Sequence, residues 1–330
     1  MTRRTRKRLV FVLVLLGAFA AGVFVANSSR LYGPPGGKPA LLAHRGLAQG
    51  FDRAGLTGDT CTAARMLPPE HPYLENTIAS MRAAFGLGAE MVEIDIQPTT
   101  DRRFAVFHDW TLDCRTDGRG VTREHSLAEL QALDIGQGYT ADGGRTYPFR
   151  GKGVGLMPSL DQVLAAFPDR RFLLNVKSND PAEGELLAEY LAALPPDRRD
   201  RLAAYGGDRP MAVLRERLPG FRSMSRASIK DCFVGYIALG WTGHVPEACR
   251  RSVLLVPANI APWLWGWPHR FVDRMQAAGT PVFLIGPWSG GFSEGIDDPA
   301  QVADLIAAGY AGGIETDRID RLAPALKTAE

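Results

Sequence analysis

The chain is poor in several things whose absence narrows what it can be. Cysteine occurs four times and histidine six times in 330 residues, with no two cysteines at CxxC spacing and no Cys/His array of the kind that closes on zinc. A basic surplus is missing beyond the N-terminus. Residues 1–8 hold five of the 38 basic residues and no acid, so 33 basic residues face 36 acidic ones in the remainder, and no nucleic-acid face is implied. The glycine-rich stretch GQGYTADGGRTYPFRGKGVGLMP at 136–158 does not follow a strand and open a helix, which excludes a dinucleotide or P-loop reading. Charge is missing altogether from LVFVLVLLGAFAAGVFVA, residues 9–26.

Eighteen uncharged residues at about 1.5 Å each nearly cross a hydrocarbon core. The five preceding cations and the following NSSRLYGPPGGKP make a buried core helix a poor reading. The run is longer than the roughly 7–15 residues of a signal h-region, and Phe24 two before Ala26 spoils a small-x-small cleavage site. We therefore expect a basic cytoplasmic flank at 1–8, a membrane anchor at 9–26 with a cleaved signal segment as the alternative, a linker at 27–38 and one outward-facing, extracytoplasmic domain at 39–330. Cysteines in that space favour disulfides. Sequence proximity points to Cys232 with Cys249 and, by default, Cys61 with Cys114.

Nine short apolar runs alternate with amphipathic stretches: 40–45, 91–96, 104–108, 171–177, 201–206, 221–225, 252–257, 281–286 and 312–316. Alternation over this length predicts a parallel α/β fold, first of all a (β/α)8 TIM barrel, with a doubly wound sheet as the alternative. Nine candidates for eight barrel strands leave one misread or outside the barrel. Long loops at 46–74 and 136–158 are read as lids that shape a substrate site.

Polar residues gather at the ends of these runs. His44 and Arg45 end the first; Glu93 and Asp95, two apart and so on one face, end the second; His108 and Asp109 end the third; Asn175 and Lys177 end the fourth. One such residue would be ordinary. Four strands delivering them at one end point to a site. Two carboxylates on one face call for a cation such as Mg2+ or Ca2+. Arg45 and Lys177 suit an anionic phosphate, and His44 and His108 suit general acid–base work near neutrality. That combination describes phosphoester cleavage. His71, His125, His244 and His269 sit in turn or cap contexts.

At these residues the chain resembles the glycerophosphodiester phosphodiesterases, through AHRG (43–46), LENT (74–77), GAEMVEIDIQPTTDRRFAVFHDWTLDCRTDGRG (88–120), MPSLDQVL (157–164) and GGIETDR (312–318). The resemblance implies a TIM barrel that uses a divalent metal, Mg2+ or Ca2+, to hydrolyse glycerophosphodiesters to an alcohol and glycerol phosphate. It implies His44 and His108 as the acid–base pair, Arg45 and Lys177 as phosphate ligands, Glu93 and Asp95 as metal ligands, and Glu75 in support. Asn175 departs from the pattern by standing where the family usually has a third, carboxylate, metal ligand, and weaker metal binding is expected. Tethering at a membrane and the aromatic cluster PWLWGWP (262–268) raise a lysolipid substrate and a phospholipase D-type activity as a variant. A non-catalytic phosphodiester-binding protein of the same fold is the alternative from another class.

Overall fold

The computed structural model describes residues 3–33, 38–57, 60–290 and 294–328. Helix α1 spans Arg3–Asn27 and buries none of its residues. The strands that follow are β1 (Ala40–His44), β2 (Met91–Pro98), β3 (Phe104–Val106), β4 (Arg171–Val176), β5 (Leu202–Gly206), β6 (Ser223–Ser225), β7 (Leu254–Pro257), β8 (Val282–Ile285) and β9 (Gly313–Thr316). Between and after them run α2 (Ile78–Leu87), α3 (Leu160–Ala166), α4 (Pro181–Ala192), α5 (Asp208–Arg217), α6 (Arg226–Leu239), α7 (His269–Ala277) and α8 (Ile319–Thr328), with shorter turns of helix. Several helices start on capping boxes that the sequence spells out, Thr77 with Ser80, Ser159 with Gln162 and Ser225 with Ser228.

Eight strands pair in parallel in the order β6-β5-β4-β2-β1-β9-β8-β7. This is a TIM barrel closed except between β6 and β7, where the Ser252 hydroxyl donates to the Ser223 carbonyl at 3.2 Å. All nine expected runs form strands. The surplus one is β3, which pairs antiparallel with β2 outside the barrel, Ile96 opposite Val106. His108 therefore does not end a barrel strand. The β2–β3 hairpin folds over the mouth and returns, so that Phe107 N–H meets the Asp95 carbonyl at 3.0 Å and His108 arrives at the level of Asp95.

Alternation along the strands sets the inside. Leu42, Met91, Leu173, Ala203, Val253 and Phe283 fill the barrel's lower interior. Gly313 is required there, since a Cβ would meet the Phe283 ring at 2.1 Å. The residues two further along several of these strands, His44, Glu93 and Asn175, point into the upper interior for the same geometric reason. The large core lies between strands and helices. A second apolar cluster, including Met66, Leu74, Phe107, Leu112, Tyr139, Phe149 and Met157, packs the 46–74 and 99–158 segments, the two long loops among them, into an ordered cap. The Cys61–Cys114 bond ties the two halves of the cap, and Cys232–Cys249 ties α6 to the turn before β7. Part of the expected linker is packed as well: Ser29 is buried and its hydroxyl donates to the Gly266 carbonyl at 2.5 Å.

Candidate active site

Asp95 stands at the centre. It is fully buried on β2, and both of its oxygens are occupied. Asn76 Nδ2 donates to Oδ2 at 2.8 Å and Asn175 Nδ2 to Oδ1 at 2.9 Å; Arg45 Nε lies 3.2 Å from Oδ2 and Lys177 Nζ 3.3 Å from Oδ1. Burial alone would raise this carboxyl, but Lys177 and Arg45 hold it well below the usual carboxylate range. Glu93, two residues earlier on the same face, accepts from the Tyr205 hydroxyl at 2.8 Å and from Arg45 N–H at 3.2 Å. Burial and neighbouring Asp95 raise it.

The chain is bent tightly to build this. Arg45 and Asn76 adopt left-handed φ of 57° and 59°, uncommon for residues with a side chain. Gly46 follows at φ 81°, where a Cβ would meet Ser80 Oγ at 2.6 Å. The turn aims the Arg45 guanidinium inward, with Nη1 on Glu75 Oε1 at 2.9 Å. Glu75 uses its other oxygen on Arg115 Nη1 at 2.8 Å, so this carboxylate bridges two guanidiniums.

Each histidine is held by an aspartate that is itself held by an arginine. His108 Nδ1 pairs with Asp109 Oδ1 at 2.7 Å, and Arg115 Nε donates to Asp109 Oδ2 at 2.9 Å. Arg115 also grips Tyr139 and Thr62, beside the Cys61–Cys114 bond. His44 Nδ1 pairs with Asp317 Oδ1, and Arg53 Nη2 donates to Asp317 Oδ2 at 2.5 Å. Arg53 belongs to the cap and ends on Asp297 and Glu294 as well. With Nδ1 occupied, each ring presents Nε2 to other partners; that of His44 lies 3.8 Å from Glu93 Oε2.

The two rings differ in proton affinity. Burial and Arg45 lower His44, yet Asp317 and Glu93 overcome both and raise it from 6.5 to about 9. Burial and Arg45 also lower His108, and there Asp95 and Asp109 do not compensate, so it falls to about 4.

The structure thus brings His44, Arg45, Glu75, Glu93, Asp95, His108, Asn175 and Lys177 together. Sequence reading missed Asp317, Arg53, Arg115 and Tyr205, and assigned Asp109 no partner. Asp317 lay within the quoted GGIETDR; its partner His44 is 273 positions away, and no local pattern links them. Glu315 was missed too. It faces the barrel interior on β9, and burial pushes its carboxyl up to about 7.

The residues expected to hold a divalent cation do not fit one as arranged. On Asp95 each oxygen accepts from one amide and has one cation within 3.3 Å, Arg45 at Oδ2 and Lys177 at Oδ1. Asn175 turns its NH2, not its carbonyl, toward Asp95. Among the described residues no group of three His, Cys, Asp or Glu is gathered to bind a metal.

Residues 44–204 match the glycerophosphoryl diester phosphodiesterase family. A glycerophosphodiester phosphodiesterase of Bacillus subtilis is 31% identical over 188 residues, covering 55% of each chain. The chain spans about half the length of the curated relatives it matches. Two solved structures share the fold. A glycerophosphodiester phosphodiesterase from Agrobacterium tumefaciens has a TM-score of 0.56 at 22% identity, over 88% of this chain and 99% of that one. An Oleispira antarctica phosphodiesterase in complex with its product sn-glycerol-3-phosphate has a TM-score of 0.54 at 19% identity, over 88% and 97%. By this match and these relatives, residues 44–204 belong to the glycerophosphoryl diester phosphodiesterase family.

Proposed function

We propose that the protein hydrolyses glycerophosphodiesters to an alcohol and glycerol phosphate, with His108 as general base and His44 as general acid. The supporting observation is the pair of aspartate-held imidazoles with opposed proton affinities around Asp95, Arg45 and Lys177. The phosphodiester anion lies against Lys177 and the Arg45 guanidinium, which stabilise charge growing on the phosphoryl oxygens. Neutral His108 takes the proton from the oxygen that attacks phosphorus. Protonated His44 gives one to the oxygen of the departing alcohol. Glu75, bridging Arg45 and Arg115, keeps the two halves of the site in register. A divalent metal would enter by displacing Lys177 and Asn175 from Asp95.

Residues 1–8 act as a cytoplasmic flank and 9–26 as an anchor, which leaves the barrel extracytoplasmic, a reading supported by the five cations in the first two turns of α1. A lysophospholipid carries the same diester. Exposure of Trp263 and Trp265, on the loop after β7, favours it as a second substrate. The test is turnover of glycerophosphocholine and of lysophosphatidylcholine by the full chain, wild type and His108→Ala. Loss of turnover in a folded variant is expected; equal turnover by both proteins would defeat the proposal.

A further inference from the structure

Helix α6 carries an apolar stripe that the fold leaves uncovered. Val234, Ile237 and Ala238 lie at the i, i+3, i+4 spacing of one face of α6, and Trp241 follows in the 3-10 turn Gly240–Thr242. Val234 is 61% exposed and Ile237 41%. Trp263 (71%) and Trp265 (37%), on the loop after β7, extend the same surface, since Trp265 Nε1 donates to the Ile237 carbonyl at 2.8 Å. Scattered exposed apolar residues are ordinary, but an uncovered helix face joined to a loop with two exposed tryptophans marks an interaction surface.

Helix α1 shows what meets it. The Phe19 ring packs edge-on against Trp241 with centroids 5.6 Å apart, and Asn27 Nδ2 donates to the Trp241 carbonyl at 2.9 Å. Arg274 reaches Asn27 Oδ1 at 2.9 Å and the Ala26 carbonyl at 3.2 Å. Ser29 Oγ accepts from His269 N–H, at the start of α7, at 3.1 Å. The end of the apolar helix is therefore fixed to the barrel beside the stripe. Phe19 precedes the end of the apolar run at Ala26 by seven residues, about 10 Å along the axis. Trp241, alongside Phe19, sits at that depth. Helices lying in a membrane surface seat their apolar face at about 5–10 Å.

We propose that the barrel is partly embedded in the bilayer through this surface, with Val234, Ile237, Trp241, Trp263 and Trp265 in the leaflet where α1 ends. The partner is lipid, reached without any further protein. Because the Trp263 loop follows β7 at the end of the barrel that carries His44 and His108, the site then opens close to the headgroups.

The experiment uses the full chain, its N-terminus verified by mass, in phosphatidylcholine vesicles made with ordinary lipid or with lipid brominated in the upper acyl chain. Tryptophan emission is expected to fall in the brominated vesicles, and Trp241→Phe with Trp263→Phe to remove roughly half of that fall or more. Ile237→Asp should weaken the quenching while turnover of glycerophosphocholine, read as the fold control, is unchanged. Equal emission in both vesicles overturns the proposal. So does a fall that the double variant leaves intact, or a vesicle-bound dimer whose tryptophans are not quenched, in which a second copy covers the face.

Discussion

His44 and His108 are nearly equally exposed, 23% and 20%, and both are aspartate-held, yet one is drawn to about 9 and the other to about 4. Burial pushes both the same way, so exposure does not separate them. The second neighbour does. His44 has Glu93 on its far side in addition to Asp317. His108 is raised by Asp95 and Asp109, but Arg45 and Lys177 add to burial and outweigh them. Two similar triads thus differ in proton affinity through the sign of the groups around them, the difference the proposed acid and base roles rest on.

The most severe way to break the comparison is to remove each ring in turn. His108→Ala should lose about 10^2–10^4 in kcat with any substrate. His44→Ala should lose as much with a choline ester but only about tenfold with a p-nitrophenyl ester, whose leaving group departs unprotonated. Equal losses on both esters would void the division of roles.

The pH profile sharpens it. The proposed roles need His44 protonated and His108 neutral, so kcat/KM should be flat between about 4 and about 9, falling below the first as the base is protonated and above the second as the acid is lost. Asp317→Asn should move the upper limb down toward 6.5 and reduce the rate at pH 8 roughly tenfold. The lower limb should stay where it is. Movement of both limbs together would mean that the rings titrate as a unit.

A smaller effect is expected from the centre of the site. Asn175→Glu replaces a donor to Asp95 by a carboxylate and should tighten Mn2+ binding about tenfold or more, read by electron paramagnetic resonance. Tight stoichiometric Mn2+ on the wild type would show that Lys177 yields its place readily.

Smallest for the chemistry are the disulfides. Opening Cys61–Cys114, which closes a separation of 53 residues, costs about 4 kcal/mol of stability in the chain-entropy account. Because Thr62 and Arg115 flank it, kcat should fall severalfold. Opening Cys232–Cys249 should lower the melting temperature and leave kcat alone.

Much of this could be read from the sequence because strand alternation is local. His44, Glu93, Asp95 and Lys177 were visible as polar ends of apolar runs, and the barrel followed from their repetition. β3 was visible as a strand but not as an antiparallel one, since only the short 99–103 turn reverses it over the mouth. The partners that tune the histidines were harder. Arg53 and Asp317 are 264 residues apart, and Arg115 reads locally as one more charge in a polar loop. Asn175 was legible as a departure from the family's pattern, while its role as a donor to Asp95 depended on a contact 80 residues distant.

The most direct test is a side-chain nitrogen NMR titration of the two imidazoles in the full chain, assigned with His44→Gln and His108→Gln. The account predicts His44 titrating near 9 and His108 near 4. Both rings titrating near 6.5, or the two values exchanged, would contradict it.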